Sequence, residues 1–136
     1  MTKHKAVPNA KAEPLVDGAN AAPLRAVQHC PIVAIGASAG GLEAFEQFFR
    51  ACPADAGLAY VLVPHLDPTH HSLLAEILQR NTTMPVEEVV DRVLVESDHV
   101  YIIAPNREMA ILNGALHLST PTLSRGQRMP IDAFFR

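Results

Sequence analysis

From Pro31 onward, short uninterrupted apolar runs alternate with segments of helical period. Ile32-Val33-Ala34-Ile35 is rich in β-branched residues and has no polar interruption, the pattern of a strand buried on both faces. It breaks into Gly36-Ala37-Ser38-Ala39-Gly40-Gly41. Beyond the glycines, Leu42, Phe45, Phe48, Phe49 and Cys52 fall at spacings of three and four, with Glu43, Glu46, Gln47 and Arg50 opposite. This predicts an amphipathic helix that Pro53 ends, with Glu46 and Arg50 as a solvated i,i+4 pair. Leu58–Val63 predicts a second fully apolar strand, closed by Pro64 and His65. Asp67 or Thr69 is placed to cap a second helix whose first turn accommodates Pro68, and Leu73, Leu74, Ile77 and Leu78 give that helix one apolar face. Val86–Val90 and Val100–Ala104 are strand-like. Asn113-Gly114, between Met109–Leu112 and Ala115–Leu118, is a type I′ hairpin signal. Pro130–Arg136 reads as the first turns of another helix, with proline at its start.

Two apolar strands joined by a crossover helix imply a parallel pair with helices packed against the sheet. The predicted fold class is α/β, a doubly wound and mostly parallel sheet with helices on both faces, incomplete at the C-terminus, with a β-hairpin near residues 109–118. Residues 1–30 differ from the rest. Pro8, Pro14 and Pro23 recur among alanines and polar residues without a sustained period, so this stretch reads as a disordered tail or linker, and residues 31–136 as the domain.

At 136 residues, 49% of them hydrophobic, the chain can hold one domain with a true core. A net charge of −3 without a Lys/Arg cluster, together with 5% aromatic residues, argues against a nucleic-acid surface and against polybasic membrane anchoring. Cys30 and Cys52 form neither a CxxC pair nor a disulfide framework, which fits a reducing compartment. No apolar run is long enough for a signal peptide or a membrane span, and a cytoplasmic location is expected.

The candidate chemistry lies at the strand ends. Glycines on both sides of Ser38 allow a sharp strand-to-helix turn that holds the hydroxyl clear of the sheet, beside the first helical N–H groups. The backbone N–H groups of Ala39 and Gly40 are the candidate oxyanion donors. In a parallel pair both strands end at the same edge, so Ser38 and His65 face one crevice, and strands roughly 4.8 Å apart bring the imidazole within reach of the hydroxyl. His65 is then the candidate general base for a Ser38 nucleophile. Blander readings stand beside this one: Ser38 as a helix N-cap and His65 as a polar strand end. A metal cluster of His65, Asp67, His70 and His71 is disfavoured, because His70 and His71 are neighbours on a helix start and point apart. The glycine loop lacks the P-loop lysine and the dinucleotide-binding glycine spacing, which disfavours phosphate binding.

Four segments carry a resemblance: Ile35–Ala44, Val63–Pro68, Val100–Asn106 and Met129–Arg136. In order and spacing they resemble the catalytic domain of the bacterial chemotaxis protein-glutamate methylesterases, the CheB type, over about Pro31 to Arg136. Ala39 and the Leu42-Glu43-Ala44-Phe45 continuation are closer to members fused to a receptor methyltransferase. The resemblance implies a serine-type carboxyl-ester hydrolase that demethylates glutamate methyl esters on the cytoplasmic helices of chemoreceptors, with glutamine deamidation as a related activity. Ser38 would be the nucleophile and His65 its base, with no cofactor, no metal, no nucleic acid and no membrane insertion, and with a fused or associated methyltransferase as a partner. The family's triad aspartate comes from a glycine-rich segment downstream of the region matched here. Asp132 belongs to a different motif and is not assigned that role. The expectation is therefore the N-terminal part of such a domain with impaired catalysis; the alternative is an inactive truncated product or a receptor-binding fragment. Asp91-Arg92 stands where relatives often carry a glycine. Residues 1–30 are too few to fold a receiver domain, so phosphorylation control of this chain is not expected.

Overall fold

The computed structural model describes residues 30–38, 40–65, 73–124 and 127–136. Of the expected N-terminal tail, residues 1–29 fall outside them, while Cys30 is half-buried against the core. The elements, in chain order, are β1 (Ile32–Ala37), α1 (Gly41–Ala51), β2 (Ala59–Pro64), α2 (Leu74–Gln79), β3 (Val86–Glu88), β4 (Val93–Leu94), β5 (His99–Ile102), β6 (Glu108–Leu112), β7 (Ala115–Ser119) and α3 (Pro130–Phe134).

A four-stranded sheet runs β1-β2-β5-β3. Every pairing in it is parallel, with Ile32 opposite Ala59, Ala37 opposite Pro64, Tyr60 opposite Val100 and Val86 opposite Val100. The centre goes to β2 and β5; β1, whose apolar run predicted burial on both faces, lies instead at one edge with none of its residues buried, because only β2 pairs with it. All six residues of β2 are buried, and Val100, Tyr101 and Ile102 of β5 are at most 1% exposed. Glu87 and Glu88 make β3 unsuitable for a central place, and it lies at an edge with both carboxylates in solvent. Successive side chains of a strand point to opposite faces, so β2 serves two cores at once. Tyr60 and Leu62 join Phe45 and Phe49 of α1 and Leu74 and Leu78 of α2 on one face. Ala59, Val61 and Val63 join Met109, Leu116, Ile131 and Phe134 on the other. That second face is covered mainly by a small antiparallel sheet, β4-β7-β6, with α3 beside it.

The hairpin forms where expected. Asn113 and Gly114 have φ of 51° and 76°, the two left-handed positions that a type I′ turn demands. Strand β4 was not foreseen. Its two residues pair with β7, and the loop before it is tied in by Arg92 N–H donating to Leu116 O (2.8 Å) and Leu118 N–H donating to Asp91 Oδ1 (2.8 Å). Arg92 adopts φ 66°, a left-handed conformation that glycine takes at less cost than any other residue.

The helices are more selective than their periodicity suggested. In α1 only Phe45 and Phe49 are buried; Leu42 and Phe48 remain 40% and 41% exposed, and Phe48 lies edge-on to Phe49 and Tyr60. Cys52 ends α1 in an extended conformation, as expected before Pro53, and its Sγ lies 2.8 Å from Tyr60 Oη. Burial and this contact push the Tyr60 phenol up to about 12. Glu46 and Arg50 do not simply face each other in solvent. Asn81 stands between them, accepting from Arg50 Nη2 (2.9 Å), donating to Glu46 Oε1 (3.2 Å) and also donating to Ile77 O, so it links the two helices. Helix α2 is described from Leu74 with Leu73 at its N-cap, and the expected caps Asp67 and Thr69 lie outside the described residues. Among the described residues no helix is long and apolar enough to cross a membrane.

Candidate active site

Ser38 and His65 each occupy the first position after a strand. The β1–β2 register carries Ala37 opposite Pro64, and His65 N–H donates to Ala37 O at 2.7 Å, extending the ladder to the point where the two chains turn away. Both residues are exposed. They line one cavity of about 300 Å³, whose remaining wall is largely apolar: Leu42 and Phe45 from α1, Leu73, Leu74 and Ile77 from the α2 region, and Pro64. The α1 side chains were legible as an amphipathic face, but nothing in their spacing marked them as neighbours of Ser38.

Ser38 does not cap α1. The N-cap is Gly40, at φ 92°, and no side chain bonds the helix end. Gly41 N–H donates to Ser38 O at 3.0 Å, closing a tight turn that leaves the hydroxyl outside the helix hydrogen bonds. This also removes the Gly41 N–H from the possible oxyanion donors. Gly40 N–H has no hydrogen-bond partner among the described residues, which keeps it available, while Ala39 lies outside them. The turn depends on a close approach of helix and strand. A Cβ on Gly41 would stand 2.5 Å from the Ala37 Cβ, nearer than two carbons can be held.

No carboxylate lines the cavity among the described residues, and Asp132, exposed on α3, is not part of its wall. Asp91 and Asp98 are engaged elsewhere, Asp91 with Leu118 N–H and Asp98 with Gly57 N–H at 2.7 Å. Among the described residues there is no group of His, Cys, Asp and Glu suited to hold a metal ion; His70, His71 and Asp67 fall outside them.

The CheB methylesterase family model matches residues 33–136, which is most of the chain and contains both strand-end residues. The chain belongs to that family. It is 35% identical over 117 residues to a protein-glutamate methylesterase/protein-glutamine glutaminase of Pseudomonas putida, covering 85% of this chain and 35% of that protein. With the corresponding protein of Trichodesmium erythraeum the identity is 30% over 109 residues, 77% of this chain and 31% of the relative. The chain thus spans about a third of the length of these curated relatives. The crystal structure of the Thermotoga maritima CheB methylesterase catalytic domain superposes with a TM-score of 0.67 at 24% identity, covering 78% of this chain and 58% of that one. The mostly parallel α/β architecture is therefore that of a CheB catalytic domain.

Proposed function

We propose that this CheB-family chain carries the nucleophile and the base of a protein-glutamate methylesterase acting on methylated chemoreceptors. The observation that carries the reading is the convergence of Ser38 and His65 on one cavity from the ends of two hydrogen-bonded parallel strands. His65 takes the Ser38 proton as Oγ adds to the ester carbonyl of a receptor glutamate. The oxyanion is met by the Gly40 N–H, with Ala39 N–H as the second proposed donor. Collapse of the adduct expels methoxide, which leaves as methanol with the proton held by His65, and water then frees the glutamate. A glutamine amide would follow the same course with ammonia leaving. The substrate helices lie in the cytoplasm, which is the proposed location, and a receptor methyltransferase, fused or associated, is the proposed counterpart enzyme. Residues 1–30 are proposed as a tail or linker preceding the catalytic domain, with Cys30 already packed against its core.

A second reading, receptor binding with little turnover, is favoured by the absence of a carboxylate from the cavity wall among the described residues. In a serine protease triad, replacing the aspartate that orients the histidine costs about 10⁴ in turnover. Methanol release from methylated receptor separates the two readings. Ser38→Ala should abolish release and Ser97→Ala, remote from the cavity, should preserve it. Release that is equal in wild type and Ser38→Ala refutes the nucleophile, and receptor binding without any release from wild type supports the second reading.

A further inference from the structure

The Met129–Arg136 motif has no chemical part in the proposed reaction, yet it is fastened to the strand that delivers Ser38. An ideal Cβ placed on Gly36 would stand 2.8 Å from Ile131 Cγ2 and 3.4 Å from both Cγ1 and Cδ1. Carbon atoms in contact settle at roughly 3.5–4.0 Å, so Ile131 fills the space that the side chain of any other residue at position 36 would need. It has little freedom to move aside. Ile131 is β-branched and helical, which leaves it essentially one χ1 rotamer, and Phe134, one turn on, anchors α3 in the same core. The opposite face of β1 is held as closely, because Ala37 meets α1 at Gly41 with the same lack of room for a methyl group. The last two residues of β1 are therefore gripped from both faces immediately before the turn that carries Ser38.

We infer that Ile131 is a positioning residue, which through its seat on Gly36 sets the end of β1, and with it Ser38, relative to His65 at the end of β2. This assignment rests on the reading of Ser38 as nucleophile. A methyl group at position 36 forces β1 and α3 apart by several tenths of an ångström up to about 1 Å, and a misplacement of about 1 Å costs on the order of 10² in rate.

The test uses the full chain as wild type, Gly36→Ala, Ile131→Ala and the double variant, with two readouts. In amide ¹H–¹⁵N spectra, Gly36→Ala should shift the Ser38, Gly40, Gly41 and His65 resonances and leave those of Asn113 and Gly114 in place. The double variant should return them toward wild-type positions, since Ile131→Ala deletes all three clashing carbons. In methanol release, Gly36→Ala should lower kcat by about 10- to 100-fold at unchanged KM, and the double variant should recover most of that loss. Unshifted Ser38 and His65 resonances in Gly36→Ala, or shifts that Ile131→Ala fails to reverse, overturn the assignment. Should Gly36→Ala not fold, Ile131→Ala alone decides: it must shift the Ser38 resonance, and an unmoved Ser38 refutes the role. A wild type that releases no methanol defeats the hydrolase reading only, because the resonances still decide the positioning.

Discussion

Gly41→Ala sets two well-calibrated effects against each other. Gly41 is the first residue of α1, and its backbone is not in the left-handed region, so alanine can adopt its conformation. On helix propensity alone the change should stabilise the protein by up to about 1 kcal/mol. The tertiary structure opposes it. The new Cβ would lie 2.5 Å from Ala37 Cβ, and relief requires helix and strand to part by roughly 1 Å, since contact distances are about 3.5–4.0 Å. Both carbons are attached directly to backbone in regular elements, so no rotamer change can absorb the overlap, and overpacking of this kind costs about 1–3 kcal/mol. The clash should win, leaving Gly41→Ala about 1–2 kcal/mol less stable than wild type. Urea unfolding followed by far-ultraviolet circular dichroism measures this without needing a tryptophan, which the chain lacks. Ala37→Gly removes the opposing methyl. Alone it should cost about 0.5–1 kcal/mol or somewhat more, and combined with Gly41→Ala it should give a favourable coupling of about 1–3 kcal/mol. A Gly41→Ala protein more stable than wild type, or strictly additive effects in the cycle, would refute the contact as the reason for the glycine.

Two further outcomes are expected. The Tyr60 phenol, only 2% exposed and raised from 10.0 to about 12, holds its proton more tightly folded than unfolded; the stability it supplies is complete below pH 10 and is lost as pH rises from 10 toward 12. The loss amounts to at most about 3 kcal/mol, and Tyr60→Phe should flatten that alkaline limb in unfolding measured from pH 8 to 12. Arg92→Gly keeps the N–H that donates to Leu116 O and relieves the left-handed strain of about 1–2 kcal/mol, against an unfolded-state entropy cost of about 0.5–1 kcal/mol. The melting temperature should therefore stay level or rise by a few degrees; a fall of more than about 5 °C would show that the Arg92 side chain contributes more than its exposed position suggests.

The parts of the fold legible from residues alone were those set by local physics. Uninterrupted apolar runs marked β2 and β5 because a strand covered on both faces can carry no polar side chain, and the same pattern marked β1 as a strand but not its place at the sheet edge, where none of its residues is buried. The Asn113-Gly114 pair marked its hairpin because few other residues accept two consecutive left-handed positions. Order and parallelism of β1 and β2 followed from the crossover helix, and with them the placement of Ser38 and His65 at one sheet edge. Other features depended on residues distant in the chain. The two-residue strand β4 has too little pattern of its own and exists because β7 offers it partners. Leu42 and Phe48 share the period of Phe45 and Phe49, but only the neighbouring elements decide which of them is covered. Asn81 between Glu46 and Arg50, and Ile131 on Gly36, join residues 31 to 95 positions apart in the sequence. Periodicity reports which face of an element is apolar, whereas close contacts report what lies against it. That second quantity is fixed only when the chain has closed on itself, so the sequence by itself determined the apolar strands, the hairpin turn and the arrival of Ser38 and His65 at one sheet edge, while the tertiary structure alone decided β4 and the close contacts on Gly36 and Gly41.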